Sequence, residues 1–425
     1  MKNINIEPLA RVEGHGGIEV EFVDGKVKNV KVDIYEGPRL IEQIVVGKKP
    51  EEDVSITSRI CAICFVSHRL SAIKGLEKCL GIKPSPKIEL LRRLAHFGEM
   101  IESHSLHYYL LALPDLLGFP DAISMVNKFP DDVSGGLELK KFGNRIMEIV
   151  AGRRIHGENL NIGFGKLPEE DELEWIKKKS SEHIPIIERG LDLWGKLNIP
   201  DYMEEESNFA CLLPPEGFGF WGDEIIVSDG EKFDIEDYKK LTNERVVEHS
   251  FAKRCRYKGK PYVVGAIARI INLGEKIDTP MAKNYLKKYY DEKKWKRNPI
   301  YNNVAQGIEI LWCLEKIPEL IDDIRKAKYE ISKPKRFDGE GTGSFEAPRG
   351  MLIHHYRIEK GLVAEADFIA PTTQNLDAME KYIFNAVKNL SEKGVKDIEL
   401  PLEIIARAFD PCISCSAHLV KVKRN

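Results

Sequence analysis

The chain has 425 residues, with 64 Lys or Arg against 67 Asp or Glu and a formal net charge of −3 at pH 7. Hydrophobic residues make up 43% and charged residues 31%, so a large core can form and disorder is not the expectation. The charge balance excludes a strongly basic nucleic-acid binder, and no apolar run approaches the roughly eighteen residues of a membrane span. The first residues, Met1 to Pro8, hold no apolar leader stretch, which predicts a cytoplasmic chain. Residues 18–35 alternate around Asp24-Gly25 and predict a β-hairpin. Residues 87–113 carry Leu90, Leu91, Leu94, Phe97, Ile101, Leu106, Tyr109 and Leu113 at helical spacing, with Pro114 expected to end the helix. Further helices are predicted at 137–151, 171–196, 279–293, 302–328 and 376–393. The Pro- and Gly-rich residues 214–222 predict a loop, and 261–271 a short strand. A second hairpin is expected at 351–369, turning at Glu359-Lys360-Gly361, while the Lys-rich stretch 283–297 reads as a solvated helix face and loop. No internal repeat or low-complexity linker divides the chain. The expectation is one α+β domain over residues 1–425, mostly helical, with a central helix bundle and small peripheral antiparallel sheets.

The cysteines lie at 61, 64, 79, 211, 255, 313, 412 and 415, too sparse for a disulfide scaffold. Cys61/Cys64 and Cys412/Cys415 form two Cys-x-x-Cys pairs near opposite ends of the chain. The other four are isolated and expected to be small buried side chains. Positions i and i+3 on a turn can aim two sulfurs at one ion. Zinc ribbons keep their pairs about fifteen to twenty residues apart. An ion joining residues 64 and 412 must instead gather distant parts of a large fold, which favours a buried functional site. Thiolates suit zinc, nickel, copper(I) or iron, so a zinc site tying the chain ends together stays open on spacing alone. A redox dithiol lacks the expected βαβ surroundings.

Six segments together carry a resemblance. They are Arg11-Val12-Glu13-Gly14-His15, Arg59-x-Cys61-x-x-Cys64-x-x-x-His68, Ser103-His104-Ser105-Leu106-His107-Tyr108, Gly152-Arg153-Arg154-Ile155-His156, Glu346-Ala347-Pro348-Arg349-Gly350 and Asp410-Pro411-Cys412-x-x-Cys415-x-x-His418. In this order the chain resembles the large, catalytic subunit of the [NiFe]-hydrogenases over nearly its whole length. It is most similar to the cytoplasmic, multi-subunit sulfhydrogenase or NAD(P)-linked soluble group of archaea.

The resemblance implies a nickel held by Cys61, Cys64, Cys412 and Cys415, with Cys64 and Cys415 bridging to an iron that carries carbon monoxide and cyanide. It implies reversible heterolysis of dihydrogen, with Cys412 as the base and Glu13 relaying the proton. Arg349, after Pro348, would lie over the open metal position and donate to a cyanide, with Asp410 orienting it. His68 would donate to a bridging sulfur. Glu42, nineteen positions before Cys61, and His418 would hold a third ion, magnesium or iron(II). The bland alternatives are a solvated Glu13, a salt-bridged Glu42 or Arg349 and a turn-forming Asp410. His104 and His107 share a helix face, yet satisfied core histidines are the commoner outcome at that spacing. His354 and His355 should face opposite sides of a strand.

Two positions depart from the family pattern. Many relatives carry an acid where this chain has Ser103, and Leu419–Asn425 follow His418, where much of the family is cut. The expectation is that an active preparation ends at His418. The chain has no iron–sulfur array, no dinucleotide fingerprint and no flavin signature. An iron–sulfur small subunit is therefore expected, and in the resembling group also subunits that bind FAD, NAD(P) and further iron–sulfur clusters. No nucleic-acid or membrane partner is expected. The alternatives are a zinc-stabilised structural protein and a relative of the complex I subunit that has lost these cysteines.

Overall fold

A computed structural model describes residues 3–417. Strands β2 (Gly16–Val23) and β3 (Lys26–Ile34) form the expected first hairpin. Asp24 and Gly25 close it with φ of 50° and 77°. Ile18, Val20, Val30, Val32 and Ile34 are buried on one face, as the alternation requires. A third strand, β1 (Ile4–Ile6), pairs antiparallel with β2. The second hairpin is also present, as Gly350–Glu359 and Leu362–Ile369 turning at Lys360-Gly361. The strand Gly339–Ala347 pairs with it on the other side. A further small sheet runs Lys232–Asp234, Glu224–Val227, Asn208–Leu213, Tyr262–Val263, its last pair parallel. The expected loop 214–222 joins two of these strands.

Three helices precede the central bundle. Helices α1 (Ile41–Val45), α2 (Pro50–Thr57) and α3 (Phe65–Leu80) precede α4 (Pro86–Ser105). Pro114 does not end the α4 run. The backbone widens into a π-helical segment, Leu106–Ala112, and Pro114 sits in the first turn of the next helix, Leu113–Leu117. The wider π-helical turn before it accommodates the proline without breaking the run. Helices Pro130–Ala151, Glu170–Trp194 and Tyr301–Lys326 pack with α4 into the central bundle. Pro371–Glu392 is the last long helix. The predicted 279–293 helix stops at Tyr289, and a separate turn, Glu292–Trp295, buries Trp295. Within 261–271 only Tyr262–Val263 is strand. The chain turns at Gly265 (φ 116°) into a helix, Ala266–Leu273. A short apolar run does not distinguish the two periods.

Helix α3 has no counterpart among the sequence-based expectations. All its residues except Lys74 and Lys78 are buried, so it shows no polar stripe. The Gly339–Ala347 strand lies directly on it. A Cβ on Gly343 would stand 2.1 Å from the Ser71 carbonyl oxygen, and one on Gly75 would stand 2.9 Å from the Tyr356 ring. Glycine at these two positions lets helix and sheet touch backbone to backbone.

Candidate metal centre

The two Cys-x-x-Cys pairs occupy two turns that enter helices. Cys64 is the N-cap of α3, and Cys412 is the N-cap of a short helix, Ile413–Ser416. Main-chain contacts hold the turns together. Arg39 donates to the carbonyls of Ile60 (2.6 Å), Arg59 (3.3 Å) and Ser414 (3.0 Å), tying one turn to the other. Ile413 N–H donates to the Glu13 carbonyl at 3.0 Å, and Cys412 N–H to Thr372 Oγ1 at 2.8 Å.

The four sulfurs converge. Sγ of Cys61 lies 3.4 Å from that of Cys412, Cys64 lies 3.5 Å from Cys415, and Cys412 lies 2.9 Å from Cys415. All four fall within 4.8 Å of one another and all are buried. Among the described residues this is the one convergent group of three or more potential ligands. Hydrogen bonds from Cys412, then Cys415 and Cys64, hold the Cys61 thiol well below its ordinary pKa against the opposing effect of burial. The N–H groups of Ile63 and Cys64, both 3.3 Å from Cys61 Sγ, favour the same thiolate. Burial first, and then Cys412 and Cys61, push Cys415 well above, against Cys64. Four enclosed soft donors contending over protons in this way suit a thiophilic cation that would replace those protons.

Arg349 supplies the adjacent positive charge. It sits after Pro348 in the turn between Gly339–Ala347 and Gly350–Glu359 and is buried. Its Nε donates to the Asp410 carbonyl at 2.9 Å and its Nη2 to Asp410 Oδ1 at 3.0 Å. Its Nη1 donates to Ser103 Oγ at 3.1 Å, so this serine engages the guanidinium. Burial opposes ionisation of Asp410, but Arg349 and then His107 and His104 keep its pKa below the usual range. Gln306 donates to the other carboxylate oxygen at 3.0 Å. Arg349→Ala would strand that carboxylate inside the protein. We expect a loss of about 3–5 kcal/mol, read from chemical denaturation; a change within about 0.5 kcal/mol would remove Arg349 from this role.

Glu13 joins the buried sulfurs to a half-buried edge. Its Oε2 lies 3.1 Å from Cys412 Sγ and accepts Ser414 N–H at 3.1 Å, while Oε1 accepts from Ser414 Oγ. His68 is turned so that Nδ1 meets His354 Nε2 at 3.0 Å. Glu42 Oε1 accepts Phe368 N–H at 2.9 Å, and burial raises its pKa. His418 and the 419–425 tail lie outside the described residues.

The remaining histidines follow the core reading. His104 bonds Glu309 at 2.8 Å, and His107 bonds Gln306 and the Arg407 carbonyl, both at 2.7 Å. His354 points inward and His355 is half-buried on the opposite face. Cys79, Cys211, Cys255 and Cys313 are fully buried.

Several supporting residues carried no signal in the sequence. Arg269 pairs with Glu309 (2.6 Å) and Glu346 (2.8 Å) and donates to the carbonyls of Ala347 and Pro348 (3.2 Å each), so it fixes the turn that presents Arg349. Glu99, one helical turn before Ser103, accepts from Val66 N–H (2.6 Å), Ser67 N–H (3.0 Å) and Ser67 Oγ at the start of α3. Burial pushes its pKa up to about 8, against those hydrogen bonds. An unfolded glutamate ionises near 4.5. Between these values the folded chain holds the extra proton, so stability falls as pH rises from about 4.5 to about 8 and then levels off. Glu99→Gln is expected to flatten that slope in denaturation measured at pH 6 and pH 9; an unchanged slope would refute the assignment.

The nickel-dependent hydrogenase family model matches residues 39–134 and 225–418, and a HoxL-like model matches residues 3–36. The chain is 42% identical to sulfhydrogenase 1 subunit alpha of Pyrococcus furiosus, covering 99% of this chain and 100% of that subunit. It is 29% identical to the NAD-reducing hydrogenase HoxS subunit beta of Cupriavidus necator, over 98% of this chain and 95% of that one. The crystal structure of an NAD+-reducing [NiFe]-hydrogenase in the H2-reduced state superposes with a TM-score of 0.88 at 28% identity, covering 98% of this chain and 100% of that one.

Proposed function

From the premise that this chain belongs to the nickel-dependent hydrogenase family, we propose that its four convergent cysteines hold the nickel–iron centre of a hydrogenase catalytic subunit. The observation that carries this is the meeting of four buried sulfurs drawn from opposite ends of the chain. Cys61, Cys64, Cys412 and Cys415 hold the nickel. Cys64 and Cys415 would also hold an iron bearing carbon monoxide and cyanide. When bound, the metal pair supplies the Lewis acidity and electron capacity that heterolysis of nonpolar, very weakly acidic dihydrogen needs.

The chain's own groups handle the proton. Cys412 Sγ accepts it, and Glu13 Oε2, at 3.1 Å, takes it onward. Ser414 keeps the Glu13 carboxylate aimed at the sulfur through two bonds. Arg349, held by Asp410 and Ser103, keeps a fixed positive charge beside the site, and with Pro348 it would contact the diatomic ligands of the iron. His68 would donate a hydrogen bond to one of the ligating sulfurs. Glu42 and His418 would hold a third cation, magnesium or iron(II).

Dihydrogen yields two protons and two electrons, and the electrons leave through an iron–sulfur small subunit. We infer onward transfer to FAD- and NAD(P)-binding partners with further iron–sulfur clusters; the NAD-reducing name of one similar subunit supports the nicotinamide acceptor, and the sulfhydrogenase name of another supports sulfur as a second acceptor. We place this assembly in the cytoplasm. Among the described residues no helix is long and apolar enough to cross a membrane.

Elemental analysis with infrared spectroscopy of the purified complex tests the assignment. Nickel together with bands in the metal-carbonyl and cyanide region is the expected result. Zinc alone, without such bands, would overturn it in favour of a structural zinc site.

A further inference from the structure

Behind the cysteines, α2, α3 and the Gly350–Glu359 strand enclose a buried polar line that dihydrogen heterolysis does not itself require. His68 stands one turn after Cys64 on α3, on the same helix face, with its side chain leaning back toward that turn. His354 Nε2 lies 3.0 Å from its Nδ1, the two rings meeting edge to face. The His354 ring is held by stacking on Phe368, with centroids 4.2 Å apart. Its Nδ1 lies 3.0 Å from the hydroxyl of Tyr356, two residues on along the same face of the strand. Asp53, from α2, is fully buried beside that hydroxyl. It interacts with the phenol without completing a well-formed hydrogen bond.

A neutral imidazole carries one N–H, so a line of such rings has a polarity. If Tyr356 donates to His354 Nδ1, then His354 Nε2–H donates to His68 Nδ1, and the single proton of His68 must sit on Nε2. The opposite polarity puts that proton on Nδ1 and leaves Nε2 unable to donate. The groups beside the Tyr356 hydroxyl decide between the two: Asp53, and Thr57, which also interacts with the phenol. Burial pushes the Asp53 carboxyl up to about 8, so at neutral pH it keeps its proton. A protonated carboxyl offers its O–H to the phenol oxygen and frees the phenol proton for His354.

We propose that Asp53 and Tyr356 are positioning residues for the metal centre: acting through His354, they hold His68 as the tautomer protonated on Nε2. The His68 ring can then donate from the edge opposite His354, which is the donor a bridging thiolate requires. The consequence for the metals rests on the nickel–iron assignment above, whereas the tautomer is a property of the chain's own residues.

Nitrogen-15 NMR of the full chain labelled at histidine, with the His68 signal identified through His68→Gln, reads the tautomer directly. His68 protonated on Nε2 alone is the expected result; protonation on Nδ1, or on both nitrogens, overturns the proposal. Asp53→Asn keeps an N–H donor toward Tyr356 and should preserve the tautomer. Tyr356→Phe removes the donor to His354 and should give a mixture, as should Asp53→Leu if Tyr356→Phe fails to fold. An unchanged tautomer in the folded Tyr356→Phe or Asp53→Leu chain overturns it. In the assembled holoenzyme the carbonyl band of Tyr356→Phe should move to lower frequency, because a thiolate that loses its donor returns electron density to the iron. An unmoved band overturns the link to the metals. Absence of nickel would count against the metal assignment, while a nickel-loaded enzyme with His68 protonated on Nδ1 would count against the polarity alone.

Discussion

Cys412→Ser is expected to abolish dihydrogen oxidation and to deplete nickel while leaving the fold intact. The reasoning is chemical before it is structural. Serine offers a hard oxygen whose proton is held far more tightly than that of a thiol, so it neither binds a thiophilic metal well nor serves as a proton acceptor near neutral pH. Cys412 is also the sulfur in closest contact with the others, 2.9 Å from Cys415 and 3.4 Å from Cys61. The local backbone does not depend on its side chain. Its N–H bonds Thr372, and the neighbouring Ile413 N–H bonds Glu13. A melting temperature within a few degrees of the unsubstituted chain is therefore expected, since a surviving backbone network limits the loss to about 1 kcal/mol. Cys313→Ser is the control. That thiol is buried and burial pushes its pKa well up, so the substitution should leave nickel content and uptake unchanged. Uptake by Cys412→Ser at more than about a tenth of the normal rate, equivalent to roughly 1.4 kcal/mol of barrier, would show that the sulfur is not part of the reacting centre.

The contrast between Cys412 and Cys313 also marks how far the sequence could be read. Spacing separated paired from isolated cysteines, and the structure brings the pairs together and buries the others. The second hairpin was marked by its Lys360-Gly361 turn, since the Gly350–Glu359 strand is buried on both faces over its first half. The first was legible because it has one buried and one more solvated face, so the period of two is visible. The amphipathic bundle helices were legible for the corresponding reason. Helix α3 was not, although it carries Cys64 and His68, because burial on every side erases the polar stripe. The Gly339–Ala347 strand escaped for the same reason: everything in it beyond Glu340 is buried. Pro114 misled because a π-helical segment carries the chain to a new helix start.

At the site, the sequence points to residues inside compact motifs, whereas those that orient them carry no local pattern. Arg269 reaches the Arg349 turn from another helix, and Glu99 reaches α3 from α4. Such contacts join positions far apart in sequence, and no local pattern encodes them. Asp53 is an extreme case, since one acid in Pro50-Glu51-Glu52-Asp53 looks like an ordinary helix N-terminus, yet it is fully buried.

Glu13→Gln separates proton movement from metal binding. Glutamine keeps the length of the side chain, and its carbonyl oxygen can still accept Ser414 N–H, so the turn carrying Cys412 should hold its shape. What it cannot do is take a proton at Oε2 and release it, which is the property the 3.1 Å approach to Cys412 Sγ exploits. A positioned acid–base group contributes about 10²–10⁴-fold, so turnover should fall by that amount. Nickel content and the carbonyl and cyanide bands should be retained. Exchange between dihydrogen and deuterated water should fall in parallel with turnover, because it needs the proton to leave but needs no electron acceptor. Glu13→Asp sharpens the test: it can still ionise but withdraws the carboxylate by one methylene, so it should recover part of the exchange that Glu13→Gln loses. If Glu13→Gln kept full turnover, protons would be leaving the sulfur by another route and the relay assignment would fall. If both variants lost nickel, Glu13 would be a structural brace for the Cys412 turn rather than a carrier of protons.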